Sequence, residues 1–256
     1  MTSLSFDRAA TFYDDTRTLS DETSERLTQA ILDLAPSQLP ILECGVGTGR
    51  VALPLIERGA RLFGVDLSTE MMQRFHAKRQ GTPVAQADMS RLPFPDATFG
   101  AALTVHVLHL VGPWRETLRE VRRVLTRGGV HICSQVNRPD DSPAARMQHY
   151  WHTLVEARGF AWRGPGAQTH AEVRAELRTL GARADEIDVG PTSHTASPSE
   201  LIDRIARRLS SDTWHVPDDV LADTVAELRQ WVWSEFPDPH QPITISRQYL
   251  FDVIRY

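Results

Sequence analysis

Glu43, Gly45, Gly47, Gly49, Asp66, Asp88 and His106 follow one another in an order that could hold a nucleotide-bearing ligand and work on it. The first four lie in the stretch Ile41-Leu42-Glu43-Cys44-Gly45-Val46-Gly47-Thr48-Gly49-Arg50. Glycines at alternate positions allow a tight turn and let a ligand come against bare backbone. The apolar residues before them predict a buried strand. Val51 to Glu57 after them predicts a helix whose free N–H groups point at the turn. A dinucleotide loop, G-x-G-x-x-G/A, requires a small residue at position 50, where this chain has Arg50. That substitution speaks against a nicotinamide oxidoreductase.

Two further acids stand at strand ends. Arg61 to Asp66 is a short apolar run closed by a carboxylate, 21 residues after Gly45. An acid at the end of a second parallel strand can accept both hydroxyls of a ribose in charge-assisted bonds. Asp66 could instead cap the helix expected from Ser68 onward, and the glycine turn upstream favours the ribose. Pro83 to Met89 is another short strand, with Asp88 at its exit. Leu92-Pro93-Phe94-Pro95-Asp96-Ala97-Thr98-Phe99 and the apolar strand Ala101 to Val105 come next.

The order E-x-G-x-G-x-G, G-V-D-L-S, A-D-x-x-x-L-P-F-P-D-x-x-F resembles the class I S-adenosylmethionine-dependent methyltransferases. The resemblance is to small-molecule enzymes related to ubiquinone and menaquinone biosynthesis, and it covers about residues 5–136. It implies that Asp88 accepts from the adenine amino group and that the backbone of Met89 meets the ring. It also implies that Glu43 lies near the methionine ammonium, with Leu67 beside the ribose acid. One departure concerns the quinone branch itself. The late motif R-V-L-[KR]-P-G-G reads Arg123-Val124-Leu125-Thr126-Arg127-Gly128-Gly129 here, with the proline lost. Phe6 to Arg17 also resembles the segment that covers the cofactor in these enzymes. Tyr13 and Arg17 would share a face if that segment is helical, either as a lid over the methionine end or as a helix docked for stability.

Strands are expected at 40–44, 61–66, 83–87, 99–105 and 130–136, and helices at 22–35, 48–58, 69–80 and 113–126. Such alternation predicts an α/β fold: a Rossmann-like, doubly wound, mostly parallel seven-stranded sheet with an antiparallel last strand. Right-handed crossovers would gather the glycine turn, Asp66, Asp88 and His106 along the carboxyl ends of the strands. Further on, 142–159 and 168–180 read as helices, 183–189 as a strand and 243–255 as a long last strand. Ser197-Pro198-Ser199-Glu200 is a capping box that opens a helical hairpin over 197–238. The hairpin is expected as an inserted cap that shapes the substrate pocket, against a reading as added core or a dimer surface. The domain expectation is one methyltransferase domain over 1–256: an N-terminal lid 1–24, a cofactor-binding core 25–136 and a C-terminal part 137–256.

His106 and His109 follow the strand 101–105, where an imidazole could serve as a general base. His106 is the candidate catalytic residue, as base or as hydrogen-bond donor to the substrate, and it also counts among the cofactor contacts. The other reading is a packing position. His149 and His152 are three apart on a helix with no completing ligand in sequence, so no metal is expected. Tyr150, Trp151 and Trp162 read as core aromatics more than as a pocket. With 41% hydrophobic residues in 256, one sizeable core is affordable, and a net charge of −5 with no basic block makes nucleic acid a poor partner. Cys44 and Cys133 fall in expected buried strands and read as small apolar residues. No apolar run reaches membrane-spanning length and residues 1–13 hold no signal-type run, so a cytoplasmic location is expected.

The sum is methyl transfer from S-adenosylmethionine to a small organic acceptor, by a monomer or homodimer. The alternatives are a non-catalytic S-adenosylmethionine binder, as sensor or partner subunit, and, behind it, the nicotinamide oxidoreductase. The acceptor and the atom methylated are not legible in these residues.

Overall fold

The computed structural model describes residues 3–17, 19–135 and 142–256. Seven strands form one sheet: β1 (Ile41–Cys44), β2 (Leu62–Asp66), β3 (Val84–Gln86), β4 (Phe99–Thr104), β5 (Leu125–Ser134), β6 (Arg183–Ala196) and β7 (Ile243–Arg255). Their order is β3-β2-β1-β4-β5-β7-β6. β1 pairs in parallel with β2 and β4, β2 with β3, and β4 with β5. β7 runs antiparallel to β5, with His131 opposite Ile254 and Ser134 opposite Phe251. β1 and β4 are buried at every position, as central parallel strands covered on both faces must be.

The helices are α1 (Tyr13–Thr16), α2 (Asp21–Leu34), α3 (Ala52–Glu57), α4 (Thr69–Lys78), α5 (Trp114–Val124), α6 (Pro143–Glu156), α7 (His170–Thr179), α8 (Pro198–Ala206) and α9 (Asp218–Glu235). The chain divides into two compact units. The first comprises Met1–Arg138, Pro165–Gly190 and Gln248–Tyr256. It holds two apolar clusters. One gathers Leu42, Val65, Phe99, Trp114, Leu118 and Leu177. The other gathers Leu27, Ile31, Leu55, Phe75, Leu103 and Phe251. The alternation of β4 side chains between them, Phe99 in one and Leu103 in the other beside Ala102 and Ala101, marks a doubly wound sheet. Cys44 and Cys133 are buried free thiols in this unit.

The second unit comprises Pro139–Gly164 and Pro191–Arg247. Its core is Met147, Trp151 and Val155 of α6, Ile202 of α8, and Leu221, Leu228 and Val232 of α9. Ser197 caps α8 with the full box: its Oγ accepts from Glu200 N–H at 3.2 Å, and Glu200 Oε2 accepts from Ser197 N–H at 2.7 Å. Trp151 is fully buried and its Nε1 donates to Thr224 Oγ1 at 3.2 Å. Tyr150 stacks on Trp231 with centroids 4.6 Å apart, and Trp162 tilts over His215. These aromatics pack against other side chains of the unit.

Several element ends differ from the sequence expectation, each for a local reason. α3 begins at Ala52 and not near 48, because Gly47 and Gly49 have φ of +54° and +92°, which a right-handed helix cannot contain. α5 stops at Val124 because Leu125 is already extended. β5 therefore starts at Leu125, pairing with Phe99 ahead of a register shift. The last residue expected in that strand, 136, lies outside the described residues. β6 continues to Ala196. Its outward positions are polar and it contains Pro191, which an edge strand tolerates. Among the described residues no helix is long and apolar enough to cross a membrane.

Candidate functional site

The site lies in the first unit, at the carboxyl ends of β1, β2 and β4. Gly45, Gly47 and Gly49 all have positive φ. A Cβ on Gly45 would stand 2.4 Å from Val107 Cγ1, and one on Gly49 would stand 2.7 Å from Phe75 Cδ2. These two glycines serve packing as well as backbone geometry. A Cβ on Gly47 would meet nothing within 4 Å, so the turn is open there and a ligand can lie against it.

Glu43, on β1 just before the turn, is 3% exposed. Its Oε2 is buried with no hydrogen-bond partner. Burial pushes its carboxyl up to about 8; Arg50 pulls against this and Asp66 adds to it. A buried acid oxygen without a donor is costly in an isolated protein, and a ligand ammonium would satisfy it. The open face at Gly47 and this unsatisfied oxygen fit a cofactor that carries both a nucleoside and an amino group.

Asp66 ends β2. Its Oδ2 accepts from Gly47 N–H at 2.8 Å and its Oδ1 from Ser68 N–H at 2.9 Å. The helix cap is Ser68, whose Oγ accepts from Met71 N–H at 3.1 Å. Asp66 therefore braces the glycine turn and leaves its remaining lone pairs for a ligand. Burial pushes its carboxyl up, and the amides of Ser68 and Gly47 pull it back down. Leu67 is half-buried beside it. Asp88 is exposed past the end of β3, with one oxygen taken by Ser90, and Met89 next to it is buried.

The N-terminal segment is fastened to this turn. Thr48 Oγ1 donates to Asp14 Oδ1 at 2.6 Å. Lys78, the only lysine of the chain, reaches Asp14 Oδ2 at 2.7 Å and Thr48 O at 3.0 Å. Asp7 accepts from the Ser68 hydroxyl. α1 is a single turn that ends at Thr16. Arg17 lies outside it with φ −130°, so Tyr13 and Arg17 are not one helical face. Arg17 is placed instead by its carbonyl, which accepts from Arg50 Nη1 at 3.2 Å.

His106 follows β4 with φ +56°, a conformation that costs a non-glycine residue roughly 1–3 kcal/mol. It is held there by its N–H, which donates to Ser134 Oγ at 2.7 Å. Its Nε2 is 3.1 Å from Tyr249 Oη, and the two rings stack with centroids 5.6 Å apart. Desolvation by the surrounding protein, then the positive charges of Arg50 and Arg17, push its pKa down. The residue as a whole is exposed, with its ring laid against Tyr249. His109 is half-buried nearby and is pushed down to about 4 by burial and by Arg17. Tyr249, on β7, was not signalled by any motif. Its position follows from the register of β7 on β5.

His149 is exposed and His152 is not idle: its Nε2 lies 2.8 Å from Asp212 Oδ2, an acid sixty residues away in sequence. Among the described residues no group of three or more potential ligands is placed to hold a metal.

A family model described as a methyltransferase domain matches residues 42–133. A crystal structure of a Bacillus halodurans C-125 protein, described as a candidate methyltransferase, superposes with a TM-score of 0.62 at 15% identity, over 91% of this chain and 97% of that one. The chain has the class I S-adenosylmethionine-dependent methyltransferase fold. Within the methyltransferase fold, a sterol 4-C-methyltransferase of Caenorhabditis elegans is 28% identical over 142 residues, 52% of this chain and 41% of that one. A demethylmenaquinone methyltransferase of Corynebacterium urealyticum is 33% identical over 138 residues, 52% of this chain and 59% of that one. The chain thus spans about half the length of these two relatives.

Proposed function

We propose that the chain binds S-adenosylmethionine at the β1–β2 edge and transfers its methyl group to a small organic acceptor. The observation that carries this reading is Glu43 Oε2, buried and without a donor beside the open backbone of Gly47. S-adenosylmethionine would supply a methyl carbon already activated by a sulfonium, ready for in-line displacement.

Glu43 would meet the ammonium, Asp66 the ribose and Asp88 the adenine amino group, with Leu67 and Met89 flanking the nucleoside. Tyr13 and Arg17 would cover the methionine end, held near it by the Asp14–Thr48–Lys78 contacts. His106 sits at the end of β4 as a neutral ring, suited to orient an acceptor by hydrogen bonding more than to take its proton. The motif resemblance to quinone-biosynthesis enzymes supports this cofactor half and offers no acceptor contact.

Isothermal titration with S-adenosylmethionine, S-adenosylhomocysteine and NADH tests the reading. Micromolar binding of the first two and none of the third is expected; NADH binding alone would overturn it. Transfer of labelled methyl to an acceptor separates an enzyme from a protein that only binds the cofactor.

A further inference from the structure

His106 is held from three sides, which is more than an exposed residue needs. Its backbone takes φ +56°, outside the region that a residue with a Cβ favours. Ser134, at the end of β5, accepts its N–H at 2.7 Å. Tyr249 of β7 lies two residues before Phe251, the pairing partner of Ser134. The phenol ring stacks on the imidazole at 26° with centroids 5.6 Å apart, and its Oη is 3.1 Å from Nε2. Tyr249 is fixed in turn: it is buried and meets Phe251 edge to face at 4.9 Å. A strained backbone that its surroundings over-determine points to a ligand contact.

The bond between the two rings fixes the tautomer. In a neutral imidazole one nitrogen donates and the other accepts, and a phenol has a single proton to give. If Nε2 were the donor, the Tyr249 hydroxyl proton would need a second acceptor. Among the described residues Oη has no hydrogen-bond partner besides His106 Nε2, and a buried O–H without one is costly. Tyr249 therefore donates, Nε2 accepts, and the ring proton sits on Nδ1. Burial also keeps the phenol protonated. Among the described residues Nδ1 has no hydrogen-bond partner. One donor is thus left over just past β4, beside the strand that carries the glycine turn.

We propose that Tyr249 is a positioning residue for the methyl transfer: it holds His106 in the Nδ1–H tautomer, so that the imidazole donates a hydrogen bond to a lone-pair oxygen of the acceptor. This rests on the methyl-transfer reading above. Nδ1–H can give a hydrogen bond and cannot take a proton, and Nε2 is occupied by the phenol. The acceptor group at this point is therefore an oxygen that turns a lone pair to the ring. An ammonium there would set donor against donor. Fixing the ring and its proton beforehand leaves less orientation to be lost when the acceptor arrives.

The test reads the His106 ring nitrogens by nitrogen NMR, in the full chain with labelled histidine and saturated with S-adenosylhomocysteine at neutral pH. His106→Gln identifies the signals among the ten histidines. The parent should show a protonated Nδ1 and an unprotonated Nε2. Tyr249→Phe, which keeps the ring and removes only the hydroxyl, should populate Nε2–H, while S-adenosylhomocysteine affinity stays within about threefold. A role in packing alone would leave the tautomer as it was. Cyclohexanone, which offers only lone pairs, should shift the parent Nδ1 signal, and cyclohexylammonium, which offers only protons, should not. The proposal is overturned if the parent carries its proton on Nε2, if Tyr249→Phe keeps the parent tautomer, if the ammonium acts as the ketone does, or if the ketone has no effect. Should the phenylalanine variant fold poorly, the parent spectrum and the two probes still decide. Failure of S-adenosylhomocysteine to bind would sink the cofactor reading instead, and the tautomer would then be read in the ligand-free chain.

Discussion

Two buried acids, one in each unit, are driven in opposite directions. Glu43 and Asp212 are 3% and 7% exposed, and each has one oxygen without a partner. Burial raises both. Asp212 nevertheless falls to about 2, because His152, Ser210 and Gln148 all hydrogen-bond to it. Glu43 rises to about 8, with only the more distant charge of Arg50 and the backbone of Ala52 acting against burial. The second unit holds its buried acid charged with side chains of its own, Gln148 and His152 both meeting Oδ2. The first unit instead keeps Glu43 as a neutral acid near neutral pH, with its Oε2 unpartnered beside an open backbone turn.

That contrast can be broken by mutation. The largest stability effect is expected from Trp151→Ala in the second unit, at about 3–5 kcal/mol, since a fully buried ring and its bond to Thr224 are lost together. Urea unfolding measures it, and a change under 1 kcal/mol would mean the helical unit is not packed as described.

Glu43→Gln should act the other way on stability. A carboxyl raised from 4.5 to about 8 makes the folded state hold a proton that the unfolded state has lost. The ligand-free protein therefore loses stability as pH rises from about 4.5 to 8, and the loss is complete above that. Glutamine removes this term. Its melting temperature should exceed the parent's at pH 8.5, with a gain on the order of a few kcal/mol, while affinity for S-adenosylhomocysteine falls about tenfold or more. A variant that melts lower at pH 8.5 and binds normally would erase the distinction between the two acids.

Asp212→Asn sharpens the same comparison. A carboxyl lowered from 3.8 to about 2 contributes stability above pH 3.8 that is lost as pH falls through 2. The asparagine variant should be less stable by about 2 kcal/mol at pH 7, with the gap closing in acid; thermal melts from pH 2 to 7 would show whether it does. The smallest effect is expected from Lys78→Met. Its partly exposed ion pair with Asp14 is worth about 1 kcal/mol or less. Limited proteolysis should nevertheless cut residues 3–17 faster, and an unchanged cleavage pattern would show that the segment is held without this lysine.

The legible part of the fold is the part whose residues meet mainly their neighbours in sequence. Alternating apolar runs and helices placed five parallel strands to within a few residues, and Ser197-Pro198-Ser199-Glu200 announced the start of α8. Chain features that depend on remote partners were not legible. Arg17 was expected on a helix with Tyr13, but α1 ends at Thr16. His152 was expected without an acid, but Asp212 reaches it from the turn between α8 and α9.

Taken alone, the sequence determined the doubly wound sheet and the glycine turn, because strand burial and positive backbone angles depend on residue type at fixed short spacings. It also placed acids at strand ends. Only the tertiary structure decided that Glu43 Oε2 is buried without a donor, that Asp66 braces the turn through Gly47, and that His106 meets Tyr249. Those facts depend on which residues from distant strands surround each group, and desolvation and charge act through space without regard to position along the chain.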